Sequence, residues 1–172
     1  MSAAAQPVRQ AHDRRVARAV PAPVTLVGWA LLVMDGITIA LPQRDVVTIE
    51  LTSALQPAQE IDPDGGGEIG WLARDTQRWP VYCLDRHLRL APALADTARV
   101  CVLFRSDERT LGVAGTQVSL LAADADLAVP SLPACLTRSG SPLTGLALHR
   151  DTIVAIVRAQ SFEHYLLTLE TA

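Results

Sequence analysis

Apolar residues recur along this chain in short runs separated by turn residues, a pattern typical of a β-protein. The run Thr25–Met34 ends at Asp35-Gly36, a dipeptide that favours a hairpin turn, and apolar residues resume over Ile37–Leu41. Asp45–Leu51 follows and is rich in β-branched residues. These runs predict a hairpin and a third strand.

Later runs have the same short length. Two predicted hairpins turn at Ser106–Glu108 and His149–Asp151, and Thr116–Leu121 extends the second strand of the first of them. Turn residues recur every ~8–12 positions, which predicts a mainly β barrel or sandwich. The remaining predicted strands are Ile69–Leu72, Trp79–Leu84, Arg99–Arg105, Arg109–Gly115, Leu143–Leu148 and Thr152–Val157.

Helical and irregular segments are few. Asp85–Leu90 has the spacing of one or two helical turns, and Ser161 predicts the cap of a short closing helix from Phe162 to about Leu167. Asp62–Gly67 is a loop by composition, because Gly and Asp supply turn geometry and Pro removes a donor. Asp124–Ser141 is irregular and contains two prolines.

Composition sets the domain organisation. With 172 residues and 49% apolar content, the chain can form one domain with a hydrophobic core. Residues 1–24 are rich in Ala, Arg, Gln and Pro, which predicts a disordered tail, or alternatively a short basic helix over Gln10–Val20 that touches a partner. Residues 25–170 form the predicted domain.

Charge and cysteine content limit the partners and the compartment. A net charge of -3 argues against a nucleic-acid partner, and three cysteines without paired spacing indicate a reducing compartment. No signal peptide is evident, and the longest apolar run, Val24–Met34, is too short to cross a bilayer. We therefore expect a cytoplasmic protein without membrane insertion.

Candidate chemistry is sparse. Cys83 and His87 stand four positions apart, which would place a zinc half-site or a catalytic Cys/His pair on one helical face, although a buried cysteine that acts as a small hydrophobe is the simpler interpretation. The acids at Asp62 and Asp64, and the similar pair at Asp124 and Asp126, lack the further oxygen ligands of a cation site. We expect no catalytic residue, no metal and no cofactor.

Two tryptophans flank the turn at Asp75-Thr76 and are candidates for stacking across a hairpin. Trp71 and Trp79 are expected to be core or half-buried residues, and either would be a natural binding anchor if it were exposed.

A family resemblance emerges from the order of several motifs. Gly70 and Pro80 keep the spacing of a Gly-x-x-Asn-x-Arg-Gly-x-x-x-Pro segment, and Pro80–Leu84 resembles its Pro-Val-hydrophobic-Asp-Leu continuation. This arrangement is similar to the CheW-like domain family, the coupling proteins of bacterial chemosensory arrays. The resemblance extends over Ala30–Pro42, Asp85–Leu90, Leu111–Val113 with Val118, Leu143–Leu146 and Ile153–Val157.

The resemblance implies a fold and a function. Two small five-stranded SH3-like barrels would pack side by side, with a short C-terminal helix. Such domains are adaptors without enzymatic activity, which couple a CheA-type histidine kinase to the signalling tip of a chemoreceptor in chemotaxis or in pilus motility. By position in the family, the partner surface would contain Val46, Val47, Ala73, Arg74, Asp75 and Thr76.

The central turn departs from the family pattern. Ala73, Asp75 and Thr76 stand where the family has Asn, Arg and Gly, and Cys83 replaces an Asp. Strand alternation predicts that only one of Val46 and Val47 faces outward. Two alternatives to array coupling remain: a degenerate barrel that regulates another protein, and, more distantly, a hydrolase that uses Cys83 and His87.

Overall fold

The computed structural model describes residues 28–58, 66–74, 76–107, 109–122, 127, 132–137 and 140–170. The predicted tail over residues 1–24, with its alternative basic helix, lies outside them. The strands and the helix are β1 (Trp29–Met34), β2 (Ile37–Pro42), β3 (Val46–Leu51), β4 (Gln56–Pro57), β5 (Gly70–Arg74), β6 (Gln77–Tyr82), β7 (Val100–Arg105), β8 (Thr110–Gly115), β9 (Gln117–Leu121), β10 (Leu143–His149), β11 (Thr152–Val157) and α1 (Ala159–Glu170).

The strands form two sheets, as predicted for a mainly β, SH3-like fold. The first sheet has five strands in the order β10-β11-β2-β1-β9, and the second has six in the order β3-β7-β8-β6-β5-β4. The sixth strand of the second sheet is β4, which contributes only two residues. In the described residues, no helix is long and apolar enough to cross a membrane.

The hairpin between β1 and β2 forms at the predicted turn. Asp35 and Gly36 both have positive φ, at 37° and 83°, which is the backbone geometry of a two-residue turn that matches strand twist. Antiparallel pairing then runs from Met34 opposite Ile37 to Trp29 opposite Pro42. The hairpins β7–β8 and β10–β11 also confirm the sequence prediction.

The segment Asp85–Leu90 is a turn and contains no helix, so that prediction is wrong. The Asp85 carboxylate accepts hydrogen bonds from the backbone N–H of His87, at 2.8 Å, and of Arg89, at 2.9 Å. The bond from Arg89, with that from His87, lowers the pKa of Asp85 below its ordinary value. Leu88, which lies between the two donors, has a φ of 61°, and the chain folds back so that Leu84 and Leu90 form an isolated bridge. Local side-chain bonds of this kind compete with helix formation.

Thr116–Leu121 does not extend β8, because the chain changes sheets after Gly115. A Cβ on Gly115 would lie 2.5 Å from Leu32 Cδ1 and 2.6 Å from the carbonyl oxygen of Val33. The Thr116 N–H donates to the same Val33 carbonyl at 2.8 Å, and β9 then pairs with β1 in the other sheet. The close approach of the two sheets therefore requires glycine at this position.

The closing helix begins earlier than predicted. The Phe162 N–H donates to the Arg158 carbonyl at 2.9 Å, so Arg158 precedes the first helical residue and Ser161 lies inside the first turn instead of capping it. The helix covers a core that both sheets share. The ring of Phe162 stacks on Phe104 with centroids 5.5 Å apart, and Leu32 from the first sheet belongs to the same buried cluster.

Candidate partner-binding site

The strand registers place three segments at one end of the second sheet. Arg105 pairs with Thr110 next to the β7–β8 turn, and Val46 pairs with Phe104, so β3 begins at this end. β6 runs parallel to β8 and therefore also begins there, immediately after the β5–β6 turn. The start of β3 and the two hairpin turns thus meet at one end of the sheet, although three strands separate β3 from β5 in its order.

Val46 and Val47 lie at the start of β3, an edge strand, and both are half-buried. The register shifts between Val46 and Thr48 opposite β7, which leaves Val47 as the extra residue of a bulge. Val46 packs against the core shared by the two sheets, and Val47 packs against the core of the second sheet. The expectation that alternation turns one of them outward is therefore wrong, because the bulge interrupts alternation.

The β5–β6 turn is exposed. Ala73 and Arg74 at the end of β5 and Thr76 in the turn are exposed, and no ion pair holds Arg74 among the described residues. Asp75, the remaining residue of the predicted partner surface, lies outside the described residues. The fold therefore brings Val46 and Val47 to the same end of the second sheet as the β5–β6 turn, although β3 does not pair with β5 or β6.

A groove of about 880 Å³ lies beside this turn, and the motif comparison did not predict it. β6 and β8 pair only at Val81 opposite Gly112 and Tyr82 opposite Val113, so the first half of β6 is unpaired with β8. The groove is lined by both hairpins and by the end of α1, including Trp71, Arg78, Pro80, Arg105, Arg109 and Glu170. Since these residues come from separate parts of the chain, only the tertiary structure brings them together.

Hydrogen bonds from β6 and from the β7–β8 turn to α1 fix one wall of the groove. The Tyr82 hydroxyl donates to Glu170 Oε1 at 2.5 Å. Burial and this bond raise the pKa of Tyr82 well above its ordinary value. Glu163 is a buried carboxylate that accepts a hydrogen bond from the Ser106 hydroxyl, and Arg109 Nε lies 4.0 Å from its Oε1. These contacts hold the β7–β8 turn against the helix.

The structure does not place Cys83 and His87 on one face. Cys83 is buried with 3% exposure, whereas His87 is an exposed residue of the turn that replaces the predicted helix. The geometric basis for a Cys/His site is therefore absent. Across the described ranges, no three His, Cys, Asp or Glu side chains lie close enough together to hold a metal ion. Cys83 and Cys101 are free and buried, as predicted for small hydrophobes.

The two tryptophans of the β5–β6 hairpin do not stack across it. Trp79 pairs with Leu72 and is buried in the core of the second sheet, whereas Trp71 pairs with Pro80 and is half-buried in the groove wall. The Nε1 atom of Trp71 is buried without a hydrogen-bond partner. The expectation of core or half-buried positions is confirmed for both.

Comparisons with known proteins identify the fold. No protein-family model matches the sequence, and no curated protein sequence matches it. Among solved structures, the scaffolding protein TtCheW from Thermoanaerobacter tengcongensis matches with a TM-score of 0.56 and 13% sequence identity. The match covers 76% of this chain and 88% of that chain. This chain therefore has a CheW-like fold.

Proposed function

We propose that this protein is a non-enzymatic adaptor, which couples a chemoreceptor to a CheA-type histidine kinase in the cytoplasm. The observation that supports the proposal most strongly is the likeness of its two-sheet fold to a scaffolding protein across most of both chains. The order of the motifs around Gly70 and Pro80 is an independent argument from sequence.

The end of the second sheet is the proposed kinase-binding surface. It combines the edge strand β3, which starts at Val46 and Val47, with the exposed turn residues Ala73, Arg74 and Thr76. An edge strand offers unpaired backbone groups to another chain, and an exposed arginine is a common interface anchor. Asp75 completes the proposed surface by its position in the sequence.

Binding to a purified kinase tests the proposal. The regulatory domain of the CheA-type kinase from the same organism is immobilised, and binding of the full chain is measured by biolayer interferometry. Arg74→Glu should weaken binding at least tenfold, on the order of the loss of one charged interface anchor. Arg150→Glu is the matched control, because Arg150 is also an exposed arginine in a hairpin turn but belongs to the first sheet.

The changed turn favours one second candidate, a CheW-like module that regulates a protein outside chemosensory arrays. Asp75 carries a negative charge where the family pattern has arginine. If the chain binds neither the kinase nor the receptor tip, and Asp75→Arg does not restore binding, this second candidate replaces the first.

A further inference from the structure

We propose that two copies of this chain pair through β10, an edge strand of the first sheet, and so form a symmetric dimer. In the sheet order β10-β11-β2-β1-β9, β11 lies on one side of β10, and no strand of the described residues pairs with its other side. The open side belongs to a strand of seven residues, Leu143–His149. The proposed kinase-binding surface stays free in such a dimer, because it lies in the second sheet.

The open edge of β10 lacks the features that commonly prevent an edge strand from pairing with another chain. Many edge strands carry charged side chains, proline or bulges, which block the approach of a second strand. Leu143–His149 contains no Asp, Glu, Lys, Arg or Pro. Its register against β11 shifts at the start, between Leu143 and Gly145, and is regular from Gly145 to His149. This last stretch is therefore an uninterrupted edge that can accept a strand.

The hairpin register determines which backbone groups of β10 point outward. His149 pairs with Thr152 across a two-residue turn in which both residues have positive φ, so this closing pair exchanges hydrogen bonds. Hydrogen-bonded and non-hydrogen-bonded pairs alternate along antiparallel strands. Ala147 therefore bonds inward to β11, whereas the N–H and C=O groups of Leu146 and Leu148 point to the open edge. These two leucines supply the backbone groups that a second strand would bind.

An apolar strip on one face of the hairpin reaches the same edge. Leu148 and Ile153 lie opposite each other and are 63% and 68% exposed, the highest values for large apolar side chains in the described residues. Alternation places Leu146 and Ala155, a half-buried pair, on the same face. A strand added at the edge would cover part of this strip, and burying apolar surface stabilises association.

The sequence of the open edge is self-complementary, which favours a second copy of this chain over a different partner. Leu146-Ala147-Leu148 reads the same in both directions. With a two-fold axis at Ala147, antiparallel pairing sets Leu148 of each copy opposite Leu146 of the other, and the outward backbone groups of both leucines then bond across the interface. Gly145 lies opposite His149 in this register and leaves room for its imidazole. The axis limits the assembly to two copies.

Sedimentation velocity of the full chain tests the proposal over concentrations from about 1 to 200 μM. A single strand pair buries less than the roughly 1,200–2,000 Å² of a standard interface, so we expect a dissociation constant on the order of 1–100 μM. The chain should change from monomer to dimer as its concentration rises, without larger species.

One pair of variants assigns the contact to β10. Leu148→Arg should weaken dimerisation at least tenfold, because its charge would lie against a leucine of the other copy. Leu120→Arg is the matched control, since Leu120 is 60% exposed and lies on β9, the opposite edge strand of the same sheet. It should leave the dissociation constant unchanged. Circular dichroism spectra and thermal midpoints equal to those of the wild type establish that both variants are folded.

A cysteine on the two-fold axis tests the register. Two copies of Ala147→Cys would face each other with Cα atoms about 4.5 Å apart, which is within the range of a disulfide. In a Cys135→Ser background the remaining native thiols, Cys83 and Cys101, are buried. Mild oxidation should therefore link Ala147→Cys into a covalent dimer. Thr152→Cys, an exposed position on β11 one strand away from the contact, should not form this link.

Three results would overturn the proposal. A chain that stays monomeric over the whole concentration range would leave the β10 edge to a strand of a different protein. Equal weakening by Leu148→Arg and Leu120→Arg would show association through exposed apolar side chains in general. A dimer that Thr152→Cys links and Ala147→Cys does not would have its contact elsewhere. Since no kinase or receptor is present, none of these results depends on the proposed adaptor function.

Discussion

The Tyr82 hydroxyl, at the end of β6, donates a hydrogen bond of 2.5 Å to the carboxylate of Glu170, the last residue of α1. Tyr82 is 2% exposed and Glu170 is half-buried, and the bond between them ties the helix to the second sheet. Glu170 also lines the groove, so this contact fixes one of its walls.

Replacing Tyr82 with phenylalanine should lower the free energy of unfolding by about 1–2 kcal/mol at pH 7, because a hydrogen bond to a charged acceptor is lost. Burial and the bond to Glu170 raise the pKa of Tyr82 above its ordinary value near 10. The unfolded chain therefore loses this proton first, and the stabilisation is present below pH 10 and falls as the pH rises further.

Urea unfolding at neutral pH and above pH 10 measures this difference. The difference in the free energy of unfolding between wild type and Tyr82→Phe should be smaller at the alkaline pH. Tyr165 does not affect the comparison, because both proteins contain it. A gap that stays constant or widens with pH would contradict the assignment of the bond to the protonated phenol.

Alanine at position 115 should destabilise the fold by about 2 kcal/mol. The added methyl group would lie 2.6 Å from the backbone oxygen of Val33, which cannot rotate away, so the two sheets must separate. Thermal unfolding measures the effect, and Thr116→Ala, a change in the exposed side chain next to it, is the control. Equal midpoints for Gly115→Ala and wild type would show that the sheets do not approach as closely as described.

Native Cys101 should react slowly with thiol reagents. Its side chain is buried, and burial raises its pKa to about 11, so little thiolate is available at pH 8. In a Cys83→Ser, Cys135→Ser background, reaction with a disulfide reagent such as DTNB should be slow in buffer and fast in denaturant. Fast reaction in buffer, with a native circular dichroism spectrum, would contradict the buried position.

Local sequence patterns predicted most of the fold, because alternation and turn residues act over short distances. Asp35-Gly36 defined its hairpin through backbone geometry that few other dipeptides adopt. The prediction of helical turns over Asp85–Leu90 was wrong. The apolar spacing suits a helix, but the Asp85 carboxylate accepts hydrogen bonds from nearby N–H groups and stabilises a turn. The prediction that Thr116–Leu121 extends β8 was wrong, because the end of β8 depends on the contact between Gly115 and the other sheet.

The candidate site was less predictable than the fold. The resemblance pointed to Val46, Val47 and the turn over residues 73–76, but the bulge that turns both valines inward has no local sequence pattern. The groove depends on where β6 and β8 stop pairing, and on a helix that arrives much later in the chain. Neither property follows from residues that are neighbours in sequence.

The affinity of the full chain for the regulatory domain of the CheA-type kinase, measured by isothermal titration calorimetry, tests the proposed adaptor function most directly. We expect a saturable interaction that Arg74→Glu weakens at least tenfold, while Arg150→Glu leaves it unchanged. No binding by the folded wild-type chain, or equal loss in both variants, would contradict an adaptor that uses this end of the second sheet.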